Sequence, residues 1–296
     1  MDAEVVIIGA GPAGLQAAIH SARKKASTVL VGKVRNSATY GIELENYLGT
    51  DGVRSGTDLL NGGVEQVRSF GGTVMDLNVL SLSRDGDRFV VHLENGESIS
   101  ARSLVLATGI SRKKLGVPGE TAFANGKGVS YCAVCDCNFY KGKTVALVGG
   151  ESEAAVSAEF MTRYASKVYW ISSEFSADAK LVDAAKASGV ETVAAGIVSI
   201  DGKDRVESVT LTDGRIIPLD GVFIELGGKS SVDLAMDIDL MPEMDDTIMV
   251  DRRCATSVPG VFACGDITGR PWQVAKAVGE GAVAGLSAAD YAKKVA

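Results

Sequence analysis

Cys132-Ala-Val-Cys135-Asp136-Cys137 gathers three of the chain's five cysteines within six residues. Cys132 and Cys135 stand three positions apart, so if they open a helix they share one face and lie within disulfide reach. A thiol at a helix N-terminus ionises more readily than a free one, which suits thiol–disulfide exchange. Asp136 follows directly and could give or take a proton. Zinc is the competing chemistry for such a pair, but a structural zinc needs four ligands, usually two Cys-x-x-Cys pairs. Cys254 and Cys264 are isolated, and the two histidines, His20 and His92, fall in a helical and a strand pattern. The ligand count therefore argues against a metal. Cys137 faces away from Cys135 and reads as a buried spectator, as do Cys254 and Cys264.

Glycines carry a second kind of chemistry. In "VVIIGAGPAGLQAA", Gly9, Gly11 and Gly14 have the Gly-x-Gly-x-x-Gly spacing between a strand and a helix, the setting in which that motif holds a dinucleotide. Gly9 permits the tight turn, Gly11 lets bare backbone approach the pyrophosphate, and Gly14 lets helix pack on strand. Pro12 and Ala13 start the helix, whose N-terminus turns partial positive charge toward the phosphates. One part is missing. The acidic residue expected to end the second strand and hold the ribose is Gly32. Either Lys33 or backbone groups compensate, or the adenosine end is held differently.

The same design recurs, altered, in "VALVGGESEAAVSAEF" (145–160), where Glu151 replaces the second glycine. Two like charges about 4 Å apart cost roughly 1 kcal/mol in water and several in a partly dry site, so a carboxylate here opposes a pyrophosphate. As a structural group Glu151 favours the helix dipole, a role compatible with loss of the phosphate.

The elements that position these groups form two strand–glycine turn–helix–strand units, 4–32 and 143–172, the opening of nucleotide-binding βαβ folds. Between them lie strand patterns at 87–99, with an Asn-Gly turn, and at 103–109. "LGVPGE" (115–120) reads as a crossover between domains, and a second crossover is placed near 241–251. "GVFACGD" (260–266) then returns as a strand of the first domain, and an Ala-rich helix spans 274–294. The 296 residues, 46% hydrophobic, 23% charged and with 35 glycines, suit two α/β domains. A net charge of −7 without a long basic run excludes nucleic acid as the expected partner. No apolar run approaches the roughly 20 residues of a membrane span, and Asp2 and Glu4 do not suit a signal peptide. With an odd number of cysteines, the expected compartment is the cytoplasm.

Taken in order, "IGAGPAG", "LVLATG" (104–109), "SYCAVCD" ahead of the second βαβ unit, and "TSVPGVFACGD" (256–266) resemble the low-molecular-weight thioredoxin reductases. The resemblance covers essentially the whole chain. It implies an α/β fold of two Rossmann-like, three-layer β/β/α domains, the second inserted in the first as in FAD/NAD(P)-linked disulfide reductases, and a homodimer. FAD would lie in the domain made by both ends of the chain (1–114 and 243–296), and the redox pair in the inserted NAD(P)H-type domain (115–242). Carried over by motif, Cys135 would face the flavin, Cys132 would form the mixed disulfide with thioredoxin, and Asp136 would serve as acid and base. FAD would be held by Gly9, Gly11, Pro12, Ala13 and Gly14, by Thr108 and Gly109, and by Gly265 and Asp266. Gln273, Val274 and Ala275 would approach the ring at a helix N-terminus, and Asn46 of "ELENYLG" would lie near it.

Two departures set expectations of their own. Members of the family usually carry Gly-Gly-Gln before the Glu-Asn segment; "KVRNSATYGIEL" (33–44) is shorter and lacks it. NADPH-dependent members carry His-Arg-Arg after the second strand of the inserted domain, where "WISSEFSADAKL" (170–181) has no arginine. Without those bidentate contacts and with Glu151 in the turn, the second domain is expected not to bind NAD(P)H. Electrons would come from reduced ferredoxin, docking through Arg112, Lys113, Lys114 or Arg270; a deazaflavin donor is the alternative. Trp272 or Tyr40 could stack on the flavin and block a nicotinamide. An ordinary NADH- or NADPH-dependent reductase also stays open, as does a flavin-binding docking protein without turnover. The Cys-Ala-Val-Cys-Asp segment argues against the docking protein.

Overall fold

The structure is a computed structural model that describes residues 1–49, 51–110, 114–124, 126–131, 133–226 and 231–295, the side chains of Val134, Cys135 and Ser231 aside. Contacts divide the chain into two units, Met1–Ser111 with Lys229–Ala296, and Arg112–Gly228.

The first unit opens with strand β1 (Asp2–Ile8), helix α1 (Pro12–Arg23) and strand β2 (Thr28–Val31). A hairpin of β3 (Glu43–Leu44) and β4 (Arg54–Ser55) leads into α2 (Gly56–Ser69) and β5 (Thr73–Met75). Strands β6 (Val79–Asp85), β7 (Arg88–Leu93) and β8 (Ser98–Leu106) complete its first passage. The second unit begins with β9 (Val129–Ser130), α3 (Ala133–Asp136), β10 (Thr144–Val148), α4 (Ser152–Met161) and β11 (Lys167–Ser172). It continues through α5 (Ala179–Ala187), β12 (Glu191–Ala194), β13 (Ile197–Gly202), β14 (Val206–Leu211), β15 (Ile216–Pro218) and β16 (Gly221–Ile224). The chain then returns to the first unit with α6 (Ser231–Met236), β17 (Val261–Ala263) and α7 (Val274–Lys294).

In the first unit the strand order is β5-β2-β1-β8-β7-β6, with β17 also on β8. β1, β2, β5, the end of β8 and β17 run parallel, while β6, β7 and the start of β8 form an antiparallel meander. The apolar run Val5–Ile8 is buried on both faces, as a central parallel strand requires. Its alternation sorts the layers. Val5 and Ile7 pack with α1, α2 and α7, whereas Val6 and Ile8 pack with the meander and α6. Gly281 and Gly285, one turn apart on α7, rest on the carbonyls of Ala13 and Ala17, where a Cβ would collide. The Lys24–Asp290 ion pair joins α1 to α7 farther along.

The second unit repeats the plan. Its sheet, β12-β11-β10-β16-β9, is parallel throughout. Val145, Leu147 and Trp170 face α4, and Ala146, Val148 and Ile171 face the antiparallel β13–β15 layer. The architecture is that of two Rossmann-like α/β units. One boundary differs from the sequence reading. Residues 231–242, expected in the inserted domain, belong to the first unit: Val232, Leu234, Ile238 and Leu240 lie in the meander core, and Asp237 accepts the Leu82 N–H at 2.9 Å. The stretch 241–251, where the crossover was expected, is a loop well after the return.

Candidate functional site

In the first unit the strand order reverses beside β1, and the crevice at the carboxyl ends of β1 and β8 is where such sheets bind ligands. Gly9 follows β1 with φ +112°, and a Cβ there would collide with the Ala107 carbonyl; one at Gly14 would collide with the Gly9 carbonyl. Gly11 caps α1 with φ −83° and ψ −177°, without a side-chain bond and with no acidic residue in the first turn. The nearest atom to a Cβ at Gly11 would be Ser37 Oγ, at 3.3 Å. Bare N–H groups thus stand at a helix N-terminus, as an anion site needs. Thr108 Oγ1, beside this turn, is the only buried side-chain polar atom without a partner among the described residues; it suits a ligand that supplies one.

The other motif residues of this unit converge here. The Gly265 turn (φ +87°) approaches the Ala13 Cβ closely, bringing Gly265 and Asp266 to the cradle. Gln273 caps α7, so Val274 and Ala275 form its first turn, and Asn46 Nδ2 donates to Gln273 Oε1 at 3.1 Å. The sequence reading missed what fixes the Gly265 turn. Glu280 Oε2 accepts the Gly265 N–H at 2.9 Å and the Thr268 hydroxyl at 2.7 Å. Lys276 Nζ donates to the Gly265 and Gly269 carbonyls at 2.7 and 2.8 Å, and lies 3.2 Å from Glu280. Burial raises the Asp266 carboxyl; Lys276 opposes the rise and Glu280 adds to it. The (i, i+4) Lys–Glu spacing on α7 was a legible signal for this pair.

Lys33 does not stand free to replace the missing acid. Its ammonium pairs with Glu94 at 2.9 Å, both side chains being under a tenth exposed. Glu94 also accepts the Asn78 backbone N–H at 2.9 Å and side-chain amide at 3.2 Å. A buried carboxylate therefore does stand near the end of β2, but it comes from the end of β7. Arg270 lies over the Trp272 ring at 4.0 Å; Trp272 and Tyr40 are 46% and 45% exposed, so both rings remain accessible in the first unit. Gly109 follows Thr108 with φ +71°.

In the second unit Cys132 and the side chain of Cys135 lie outside the described residues, as do Arg112 and Lys113. The backbone of Cys135 and Asp136 belongs to α3, the helical start that the spacing implied. Just before it, the buried Glu120 accepts the Tyr131 hydroxyl at 2.7 Å and the N–H groups of Leu115 and Gly116 at 3.1 and 2.6 Å. Cys137 is buried. Cys254 and Cys264, in the first unit, are buried too; burial pushes the Cys254 thiol up to about 11, and Cys264 also rises, mainly through burial.

The altered turn keeps its backbone and changes its lining. Gly149 has φ +150°, and Glu151 caps α4 with φ −90° and ψ 172°, close to Gly11. Its side chain makes no capping bond, and Glu153 sits in the first turn. The loop after β11 folds onto this turn: Ser176 N–H donates to the Gly150 carbonyl at 2.8 Å, and Asp178 N–H to Ser152 Oγ at 3.1 Å. At the adjoining end of β16 stands Glu225, 7% exposed. Among the described residues of the turn at 149–153, the loop at 173–178 and the end of β16, the charged ones are Glu151, Glu153, Glu174, Asp178 and Glu225, all acidic.

Residues 3–281 match the model of the pyridine nucleotide-disulphide oxidoreductase family. The chain is 36% identical to a thioredoxin reductase of Aquifex aeolicus over 89% of its length and 85% of that protein. It is 33% identical to a thioredoxin reductase of Listeria innocua over 99% and 94%. Among solved structures it resembles the atypical thioredoxin reductase of Desulfovibrio vulgaris Hildenborough, with TM-score 0.80, 33% identity and coverage of 99% and 98%. It also resembles a ferredoxin-flavin thioredoxin reductase of Clostridium acetobutylicum, with TM-score 0.67, 32% identity and coverage of 99% and 98%. A glycine turn open to an anion, a Cys-x-x-Cys sequence leading into α3 of a second Rossmann-like unit, and these full-length likenesses place the chain in the pyridine nucleotide-disulphide oxidoreductase family, among its thioredoxin reductases of low molecular weight.

Proposed function

We propose that this protein is an FAD-dependent thioredoxin-disulfide reductase, acting as a homodimer, that takes electrons from reduced ferredoxin and not from NADPH. The observation that carries the donor assignment is the acidic second crevice. A dinucleotide bound there would bring its pyrophosphate against Glu151, with Glu153 and Glu225 nearby, and would meet no basic residue on the loop 173–178. The likeness to a ferredoxin-flavin thioredoxin reductase supports the same donor.

The first cradle suits FAD. The open N-terminus of α1 with Gly9, Gly11, Pro12, Ala13 and Gly14 would hold the pyrophosphate, and Thr108 and Gly109 would line it. Gly265 and Asp266, fixed by Lys276 and Glu280, would bind toward the ribityl chain; Gln273, Val274, Ala275 and Asn46 would lie toward the ring. Glu94, with Lys33 as its counterion, lies near the end of β2 on the adenosine side. When bound, FAD supplies the two-electron couple that restores the dithiol.

The remaining chemistry belongs to the cysteines. Cys132 thiolate attacks the disulfide of oxidised thioredoxin, one thioredoxin sulfur leaves as a thiolate, and Cys135 displaces the other. The enzyme is left with a Cys132–Cys135 disulfide and thioredoxin with two thiols; Asp136 moves the protons. Lys114, exposed beside the two undescribed basic residues, and Arg270 contribute positive charge for an acidic one-electron donor. The test is thioredoxin reduction with each donor in turn. Turnover with reduced ferredoxin that is abolished by Cys132→Ser supports the reading; equal turnover with NADPH overturns the donor, and undiminished activity of Cys132→Ser overturns the mechanism.

A further inference from the structure

Two stretches from opposite ends of the chain meet at the first cradle, the turn into α1 and the turn after β17. The second has little of its own to shape it. Gly265 and Gly269, with φ +87° and +102°, bracket the single turn Asp266–Thr268. A Cβ at Gly265 would meet those of Ala13 and Ala277 at 2.8 and 3.9 Å, so this turn is wedged between α1 and α7. Gly281, one helical turn beyond Ala277, rests on the Ala13 carbonyl. One stretch of α7 therefore sets the two parts of the cradle against each other.

The charged pair of that stretch is directed at the turn. An ammonium has three donors, and Lys276 gives them to the Gly265 carbonyl, the Thr268 hydroxyl and the Gly269 carbonyl, at 2.7, 2.7 and 2.8 Å. Glu280 Oε2 accepts the Gly265 N–H and the Thr268 hydroxyl. The two side chains are only 16% and 26% exposed. An ordinary (i, i+4) helix pair lies in water and contributes little; this one grips a neighbouring loop through charge-assisted bonds. Lys276 is also the cation that opposes the burial-driven rise of the Asp266 carboxyl, to which Glu280 adds. Without the ammonium, two half-buried carboxyls would stand beside a cradle suited to a diphosphate.

We propose that Lys276 and Glu280 are positioning residues for FAD, and that the positive charge of Lys276 is what keeps the cofactor bound. This rests on the reading that Gly265 and Asp266 line the FAD site. Both residues act through the backbone of Gly265–Gly269 and through Asp266, without a contact to FAD of their own. The pair has a definite sign. Removing the charge of Lys276 leaves Glu280 and Asp266 as like charges beside the diphosphate, so FAD binding weakens. Removing the Glu280 charge as well, by a glutamine that still accepts the Gly265 N–H, relieves part of that repulsion and restores part of the binding.

The experiment uses the FAD-loaded protein and its Lys276→Gln, Lys276→Arg, Lys276→Gln/Glu280→Gln and Asp266→Ala variants. Each is diluted in series and free FAD is measured in the ultrafiltrate, which gives the dissociation constant. Visible circular dichroism reads the surroundings of the bound flavin, and far-ultraviolet circular dichroism reads the fold. Lys276→Gln should weaken FAD binding about tenfold and change the visible spectrum with the fold intact. Lys276→Arg, which keeps the charge, should stay within about threefold of the parent, and the double variant should bind about threefold more weakly than the parent. Should Lys276→Gln fail to fold, the double variant decides, its threefold loss supporting the proposal and parent-like binding overturning it. Lys276→Gln within about twofold of the parent, with Asp266→Ala weakened, overturns the proposal and leaves the FAD site as read. Parent-like binding by Asp266→Ala overturns the reading of the site and the proposal with it.

Discussion

The two glycine turns share a backbone and differ in charge. Gly11 and Glu151 cap their helices with nearly the same φ and ψ, and each turn follows a central strand that pairs parallel with both neighbours. The first leaves the helix N-terminus bare, with an unpartnered Thr108 hydroxyl beside it. The second puts a carboxylate at the cap and another in the first turn, with a loop hydrogen-bonded over Gly150 and Ser152. On the proposed reading, the second unit keeps a nucleotide-binding turn for its architecture and not for a nucleotide. What the second unit keeps is the strand and the helix, α4, against which α3 packs.

The comparison can be broken most sharply by moving the carboxylate. Gly11→Glu should empty the first cradle, weakening FAD binding roughly fivefold to a thousandfold from like-charge repulsion of about 1 to 4 kcal/mol. Flavin absorbance per protein after gel filtration checks this, with circular dichroism confirming the fold. A smaller loss is expected from Lys33→Met, which leaves the buried Glu94 without its counterion. The protein should lose about 3 kcal/mol of stability, read by urea unfolding, and Lys33→Met/Glu94→Leu should recover much of it.

The reverse exchange is expected to do little. Glu151→Gly restores one glycine but leaves Glu153, Glu225 and a loop without arginine, so NADPH-driven turnover should change by less than about tenfold. A larger gain would show that one side chain alone closed the crevice. The smallest effect concerns the spectator thiols. Cys254 is held at about 11 against an ordinary 9.0. The unfolded thiol ionises first as pH rises, so the unfolded state binds fewer protons and stability falls between about pH 9 and 11. Cys254→Ser should flatten that decline in urea titrations at pH 8 to 11.

Much of this was legible in the sequence, for identifiable reasons. Gly9, Gly14 and Gly149 are dictated by backbone conformation or close approach, so spacing reveals them; the apolar runs of β1 and β10 reveal the two central strands. The Glu94–Lys33 pair was hidden because it joins the end of β2 to the end of β7, 61 residues apart. Glu225 was hidden likewise: its carboxyl accepts the Ala133 N–H, 92 residues away. The return to the first unit was misplaced near 241–251 because α6 is only six residues long, too short for its apolar side to stand out as a helix.

The central claim is that electrons do not enter through the second glycine turn, and anaerobic mixing with the flavin-loaded protein tests it most directly. The account predicts that excess NADPH leaves the oxidised flavin absorbance unchanged, while reduced ferredoxin bleaches it and the bleaching is followed by reduction of thioredoxin. Rapid bleaching by NADPH would contradict it.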